Sequence, residues 1–175
     1  MSHPITRPAD PTPATPQALR RRHLVQEKCI RSIGILFYLP AILLLHRGAL
    51  ILSGNIAGLP KPAGLFLAAL GVAFVLVGYG FRRLDPAFRL RGGVLAGLGL
   101  LLFGVPALGT FFPAGIAVSA FVLFLIFGPA GRVIYSPAYQ RAIAATPEIK
   151  AEPPLIVWIA FAVLLIFTAL TLLRA

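Results

Sequence analysis

Between Gly92 and Pro129 the chain carries no charged side chain. One crossing of about 30 Å of hydrocarbon takes roughly 20 apolar residues, so a run of this length is too long for one span and right for two. Charge is scarce throughout, at 12% of residues, against about 25% in an average soluble domain. The acids number five: Asp10, Glu27, Asp85, Glu148 and Glu152. None interrupts a long apolar run. Proton- and cation-coupled transporters keep a carboxylate at mid-membrane, where a charge is costly and retained for work. Its absence argues against both mechanisms. Cys29 is the single cysteine, which excludes an internal disulfide and a Cys/His metal cluster. It reads as a small apolar residue beside the first span. Catalytic signatures are missing as well. His3, His23 and His46 fit no spacing that joins them to a nucleophile, and neither HExxH nor a P-loop occurs. Ser32, Ser53, Ser119 and Ser136 read as packing or capping serines. The chain is therefore expected not to be an enzyme and to hold no cofactor. No secretory signal opens it, so the first span is expected to act as an uncleaved signal-anchor.

What is present is apolar and basic. Of 175 residues 58% are hydrophobic, and the net charge is +11. The apolar residues are gathered in long runs, which reads as an integral membrane protein. The arginines flank those runs rather than line one surface. The partner they imply is the anionic headgroup layer. A nucleic-acid partner is excluded, because no aromatic-basic fold motif is present.

The expected fold is an all-α membrane protein: a bundle of five transmembrane helices (alternatively four) with short interfacial cytoplasmic helices. Residues 1–15 are proline-rich and read as a disordered tail. Thr15-Pro16 is an N-cap followed by proline at the first helical position. Residues 16–32 form a basic juxtamembrane helix that either lies along the membrane surface or runs straight into the first span. Val25, Cys29, Ser32 and Ile33 share one face of it. The bundle, 33–175, has spans near 33–52, 63–81, 92–110, 113–131 and 154–173. His46-Arg47 interrupts the first. Its uninterrupted part, Ile33–Leu45, gives only about 20 Å of helix. Either that helix starts earlier, or Arg47 snorkels to the outer headgroups.

The loops add detail. Residues 82–91 hold four arginines and Asp85-Pro86, which can cap a single helical turn. Thr110–Pro113 is a tight uncharged turn. Ser136-Pro137 and Thr146-Pro147 are further capping signals. Between them Tyr139, Ala142 and Ile143 share the apolar face of a short interfacial helix. With five spans, 13 Lys and Arg residues fall on one side and 3 on the other. Four spans would lose that asymmetry. The positive-inside rule then places the N-terminus in the cytoplasm and the C-terminus outside. Tyr79, Tyr135, Tyr139 and Trp158 sit near the cytoplasmic level as interface anchors. The small-residue stripe Gly64, Ala68, Gly71 reads as internal helix packing, and Gly93 and Gly97 form a GxxxG pair. Pro40 and Pro106 mark kinks.

Two segments together resemble a group of small, functionally uncharacterised bacterial multi-pass inner-membrane proteins. One is Val25–Leu39, a charged lead-in to Ser-Ile-Gly-Ile-Leu-Phe-Tyr-Leu. The other is Gly131–Lys150, with Ser-Pro-Ala-Tyr-Gln and Thr-Pro-Glu-Ile-Lys before the last helix. The chain departs from that pattern at Pro40, where a small residue is usual, and at Glu148, where His is expected. The resemblance implies a bacterial inner membrane and no activity. The expected role is contact with anionic headgroups, a membrane-protein partner or a second copy of the chain. The residues expected to carry it are Arg20, Arg21, Arg22, Arg82, Arg83, Arg89, Arg91, Tyr139 and Arg141. The rival reading is a small transporter or channel with its site at the proline kinks.

Overall fold

The structure is a computed structural model that describes residues 15–56, 58–104 and 113–173. The expected proline-rich tail, the turn at Thr110–Phe112 and the Pro106 kink lie outside the described residues. The described chain is all-helical, with no strand. It comprises α1 (Pro16–Leu36), α2 (Tyr38–Leu52), α3 (Lys61–Arg83), α4 (Ala87–Gly104), α5 (Pro113–Phe127), α6 (Pro129–Ile134), α7 (Pro137–Ala145) and α8 (Leu155–Leu173).

Two helical stretches are long and apolar enough to cross a membrane: Pro16–Leu52, which joins α1 and α2, and Lys61–Arg83. Ile116–Phe127 and Leu155–Ile166 are apolar but shorter. Only 28% and 33% of the two long apolar windows are buried. They are therefore not covered as a soluble core helix would be.

The first helix does start early. Thr15 accepts a hydrogen bond from the Ala18 amide, and Pro16 opens α1. Only Phe37 separates α1 from α2. Pro40 explains the joint: it has no N–H to offer the Leu36 carbonyl, and its ring crowds that group. His46 and Arg47 sit inside α2, with Arg47 exposed. The expected face holds in part. α1 turns Arg20, Glu27, Ile30, Ile33, Gly34 and Ile35 inward, and Cys29 packs against the core, while Val25 is 70% exposed. A charged pair and an apolar stripe together set the helix's orientation.

α3 returns antiparallel to the α1–α2 rod, and small residues let the backbones touch. Gly34 faces Gly78, where an added Cβ would stand 2.6 Å from the opposing carbonyl oxygen on either side. Gly71 faces Ala41 and Leu45, and Gly64 faces Gly48. Both rows, 34–41–48 and 78–71–64, repeat every seven residues. Close backbone approach of this kind is how helices pack in lipid, where no hydrophobic force drives them together. Gly64 and Gly71 of the expected stripe thus serve internal packing. The GxxxG pair does not behave as a unit. Phe127 lies on Gly93, but among the described residues nothing lies within 4 Å of a Cβ placed on Gly97.

Residues 82–91 are not a loop. α3 runs to Arg83 and α4 begins at Ala87, so the arginines belong to helix ends. Leu84 makes the turn in the left-handed region, φ 56°. The Leu84 amide donates to Phe81 and the Asp85 amide to Gly80, the paired bonds of a Schellman ending. Leucine pays a steric penalty there that glycine would not, but it is fully buried. Asp85 caps α4 itself through the Ala87 amide at 2.9 Å.

α4 and α5 pack antiparallel, with Leu95 and Ala96 against Val122, Leu125 and Ile126, in one core with Ile30, Phe37 and Phe81. α5 ends at Phe127, and residues 129–134 form the separate α6. Ser136 caps α7, accepting from the Tyr139 amide, and Pro137 opens it. Thr146-Pro147 starts no helix: Thr146 is the residue that ends α7. α7 packs on α1, whereas α8 touches the α1–α2 rod lightly, meets α3 where Trp158 lies by Arg82, and stays largely exposed.

Candidate functional site

The polar residues of the described chain converge at one end of the α1–α3 pair. The antiparallel seam requires this. Pairing Gly34 with Gly78 sets Arg31 beside Arg82 and Arg83, and pairing Gly48 with Gly64 sends Arg47 and Lys61 to the far end.

The convergence has two parts. The inner one is a knot around Glu27, which is 0% exposed. Its Oε1 accepts from Arg20 Nη2 at 3.2 Å and Arg31 Nη2 at 3.1 Å. Its Oε2 accepts from Arg20 Nε at 3.3 Å and from the Tyr139 hydroxyl at 2.9 Å. Arg20, 3% exposed, also donates through Nη1 to the Thr146 carbonyl and, at 3.1 Å, to the Thr146 hydroxyl. That hydroxyl donates to the Ala142 carbonyl at 2.7 Å. His23 lies edge-on to Tyr139, ring centroids 6.0 Å apart. Burial, and then the Glu27 carboxylate, push the Tyr139 phenol well above its ordinary value. The hydroxyl therefore stays protonated and donating. Tyr135, buried at the end of α6, is raised mainly by burial.

Such a knot is a fastener. Each carboxylate oxygen already accepts two donors from the chain, so neither offers a ligand position. Among the described residues no three His, Cys, Asp or Glu side chains lie where they could hold a metal. It ties α7 to α1, and in doing so joins Val25–Leu39 to Gly131–Lys150. Gln140 adds a second tie, donating to the Leu84 carbonyl at 3.1 Å and the Ile134 carbonyl at 3.0 Å. It anchors α7 to the strained α3–α4 turn.

The outer part is a pocket of about 310 Å³ lined by Arg31, Tyr79, Arg82, Arg83, Glu152 and Pro153. Arg31 spans both parts: one nitrogen binds Glu27, and its buried Nε has no hydrogen-bond partner among the described residues. The Arg83 guanidinium sits 4.6 Å from the Tyr79 ring centroid, and that of Arg82 5.8 Å from Trp158. Aromatic faces hold both cations while leaving their N–H edges free.

The expected contact residues therefore divide. Arg20 and Tyr139 are buried and bound within the chain, so they are removed from the contact set. Desolvation of Arg20 is met by Glu27, not by a headgroup. Arg21 and Arg22 are exposed near the start of α1. Arg82 and Arg83 enter the pocket. Arg89 is half-buried, with Nε on the Ile126 carbonyl at 2.9 Å and its guanidinium over Phe127. Arg91 lies over Phe88, and Arg141 is exposed on α7.

Sequence reasoning counted Glu27 only as an acid outside the long apolar runs and missed its pairing. The signal was its spacing: Arg20, Glu27 and Arg31 stand seven and four residues apart, on one helical face. Arg31 went unremarked because only the fold brings it to Arg82. Set against models of protein families, curated proteins and solved structures, the chain matches none of them.

Proposed function

We propose that this chain is a five-span protein of the bacterial inner membrane, a non-enzymatic component whose basic cytoplasmic face contacts anionic lipid or a protein partner. The observation that carries the reading is the charge distribution. In a five-span arrangement 13 basic residues stand on one side and 3 on the other. Two long helices of suitable composition support it. So do large apolar side chains left exposed along α3, α5 and α8, among them Phe66, Phe124 and Ile159. In water these would form patches far beyond what a soluble monomer exposes. The exposed members of the basic set, Arg21, Arg22, Arg82, Arg83, Arg91 and Arg141, are the contact residues of this reading.

A periplasmically active reporter fused after Ala175 tests the topology. It is expected to be active only outside the cytoplasm, and activity inside refutes the odd span count. Neutralising Arg21, Arg22, Arg82 and Arg83 together is expected to abolish preference for vesicles containing anionic lipid. Retained preference refutes the role of the basic face.

A further inference from the structure

We propose that the pocket between α1, α3 and the start of α8 binds the phosphodiester of an anionic phospholipid headgroup. The proposal rests on the membrane reading above and adds to it a specific site.

Three guanidiniums meet there. Arg82 and Arg83 have no carboxylate within ion-pair distance among the described residues, and Arg31 adds a buried Nε without a partner. Guanidinium edges match phosphate oxygens in geometry and charge. The pocket's size, about 310 Å³, lies at the small end of the range for ligand sites. It has room for a lipid headgroup. Glu152 on the wall refines the choice. Its carboxylate disfavours a dianion and accepts a hydrogen bond, which fits a singly charged phosphodiester whose headgroup carries hydroxyls, as in phosphatidylglycerol.

The surroundings favour a lipid over free phosphate. Below Arg83 on the same face of α3 lie Tyr79, Leu76, Val72 and Leu65, all exposed and spaced three, four or seven residues apart. From Arg83 to Leu65 that strip runs about 27 Å along the axis, enough to lie beside an acyl chain hung from the pocket. Trp158 of α8, also exposed, lies against Arg82.

Trp158 is the single tryptophan and lies against Arg82, so its fluorescence reports on the pocket. The full-length protein would be reconstituted in phosphatidylcholine vesicles doped with brominated phosphatidylglycerol or, separately, brominated phosphatidylcholine. The glycerol headgroup is expected to quench Trp158 preferentially. Arg82→Gln with Arg83→Gln is expected to lower that preference about thirtyfold, at roughly fivefold for each basic residue near the surface. Both side chains are exposed, and an unchanged helical circular dichroism spectrum verifies the fold. Arg47→Gln with Lys61→Gln, at the far end of the seam, is expected to leave the preference intact. Headgroup-independent quenching, or a preference that survives loss of Arg82 and Arg83, overturns the pocket. If the Arg47 and Lys61 changes abolish the preference equally, the attraction belongs to the overall positive charge and the pocket again falls. Displacement of quenching by millimolar inorganic phosphate would identify free phosphate as the ligand and refute the lipid. No quenching by either brominated lipid would refute the membrane reading itself.

Discussion

Glu27→Gln is the sharpest single test of what holds this fold together. The substitution keeps the volume and removes one charge. Arg20, 3% exposed, would then lie beside Arg31 without a counter-charge. Removing one member of a buried ion pair costs about 3–5 kcal/mol, because the remaining charge is desolvated and unpaired. The loss has a defined place. α7 is held to α1 through Tyr139 on Glu27 and Thr146 on Arg20, so α7 should detach before the rest of the bundle melts. Hydrogen exchange of the amides of Ala138 to Ala145 reads this directly. At tenfold per 1.4 kcal/mol, exchange by local opening should speed up by about a hundredfold to a few thousandfold. The seam between α2 and α3 should keep its protection. The paired change Arg20→Met with Glu27→Leu should recover most of the loss, since an apolar replacement of both partners removes the buried charges together. If α7 in Glu27→Gln exchanges within about threefold of the parent, local opening does not depend on the knot. If the double variant is as weak as the single one, the effect is packing and not charge.

Other outcomes follow from the same geometry. Gly64→Ala should cost about 1–3 kcal/mol by forcing apart backbones already in contact, whereas Gly97→Ala, with nothing within 4 Å among the described residues, should stabilise by up to about 1 kcal/mol through helix propensity; thermal unfolding in detergent compares them, and equal effects would refute the seam. In an alkaline absorbance titration, Tyr135 and Tyr139 should ionise above the ordinary value of about 10, because both phenols are raised. Their folded state holds the proton more tightly than the unfolded one, so the stability they lend is complete below about pH 10 and lost as pH rises past the folded values. Tyr139→Phe should remove one phenol from the late-ionising group, and removal from the early group would contradict the knot. Leu84→Gly relieves a left-handed leucine by about 1–2 kcal/mol but empties a fully buried site worth about 2–5 kcal/mol, so it should destabilise; a net gain in melting temperature would show that strain outweighs burial at this turn.

Helix positions were largely readable because apolar runs and Ser/Thr-Pro caps are local signals. α7 begins where Ser136-Pro137 says it should, and α1 where Thr15-Pro16 does. What was not readable depends on partners distant in sequence. Thr146-Pro147 carries the same local signal as Ser136-Pro137, yet the Thr146 hydroxyl turns back to the Ala142 carbonyl and its carbonyl takes Arg20, 126 residues away. Arg20 looked like a headgroup ligand because side-chain type alone does not reveal a buried carboxylate one helical face away. Half of the small-residue seam was visible in Gly64 and Gly71. Its other half, Gly34, Ala41 and Gly48, is split by a proline and the basic lead-in, and so did not read as one stripe. The pocket needed the seam's register before Arg31 and Arg82 could be neighbours.

The seven-residue spacing on both sides of that seam makes it degenerate. A slide of one repeat, about 10.5 Å along the axis, would still set two of the three small pairs opposite one another. The zipper alone does not select its own alignment. The choice falls to the parts that break the periodicity: the short Ser53–Pro60 connection, which would have to stretch, and the Glu27 knot with the Leu84 turn, which would be pulled apart. A chain lengthened by seven residues in that connection is thus the natural way to make the two alignments compete.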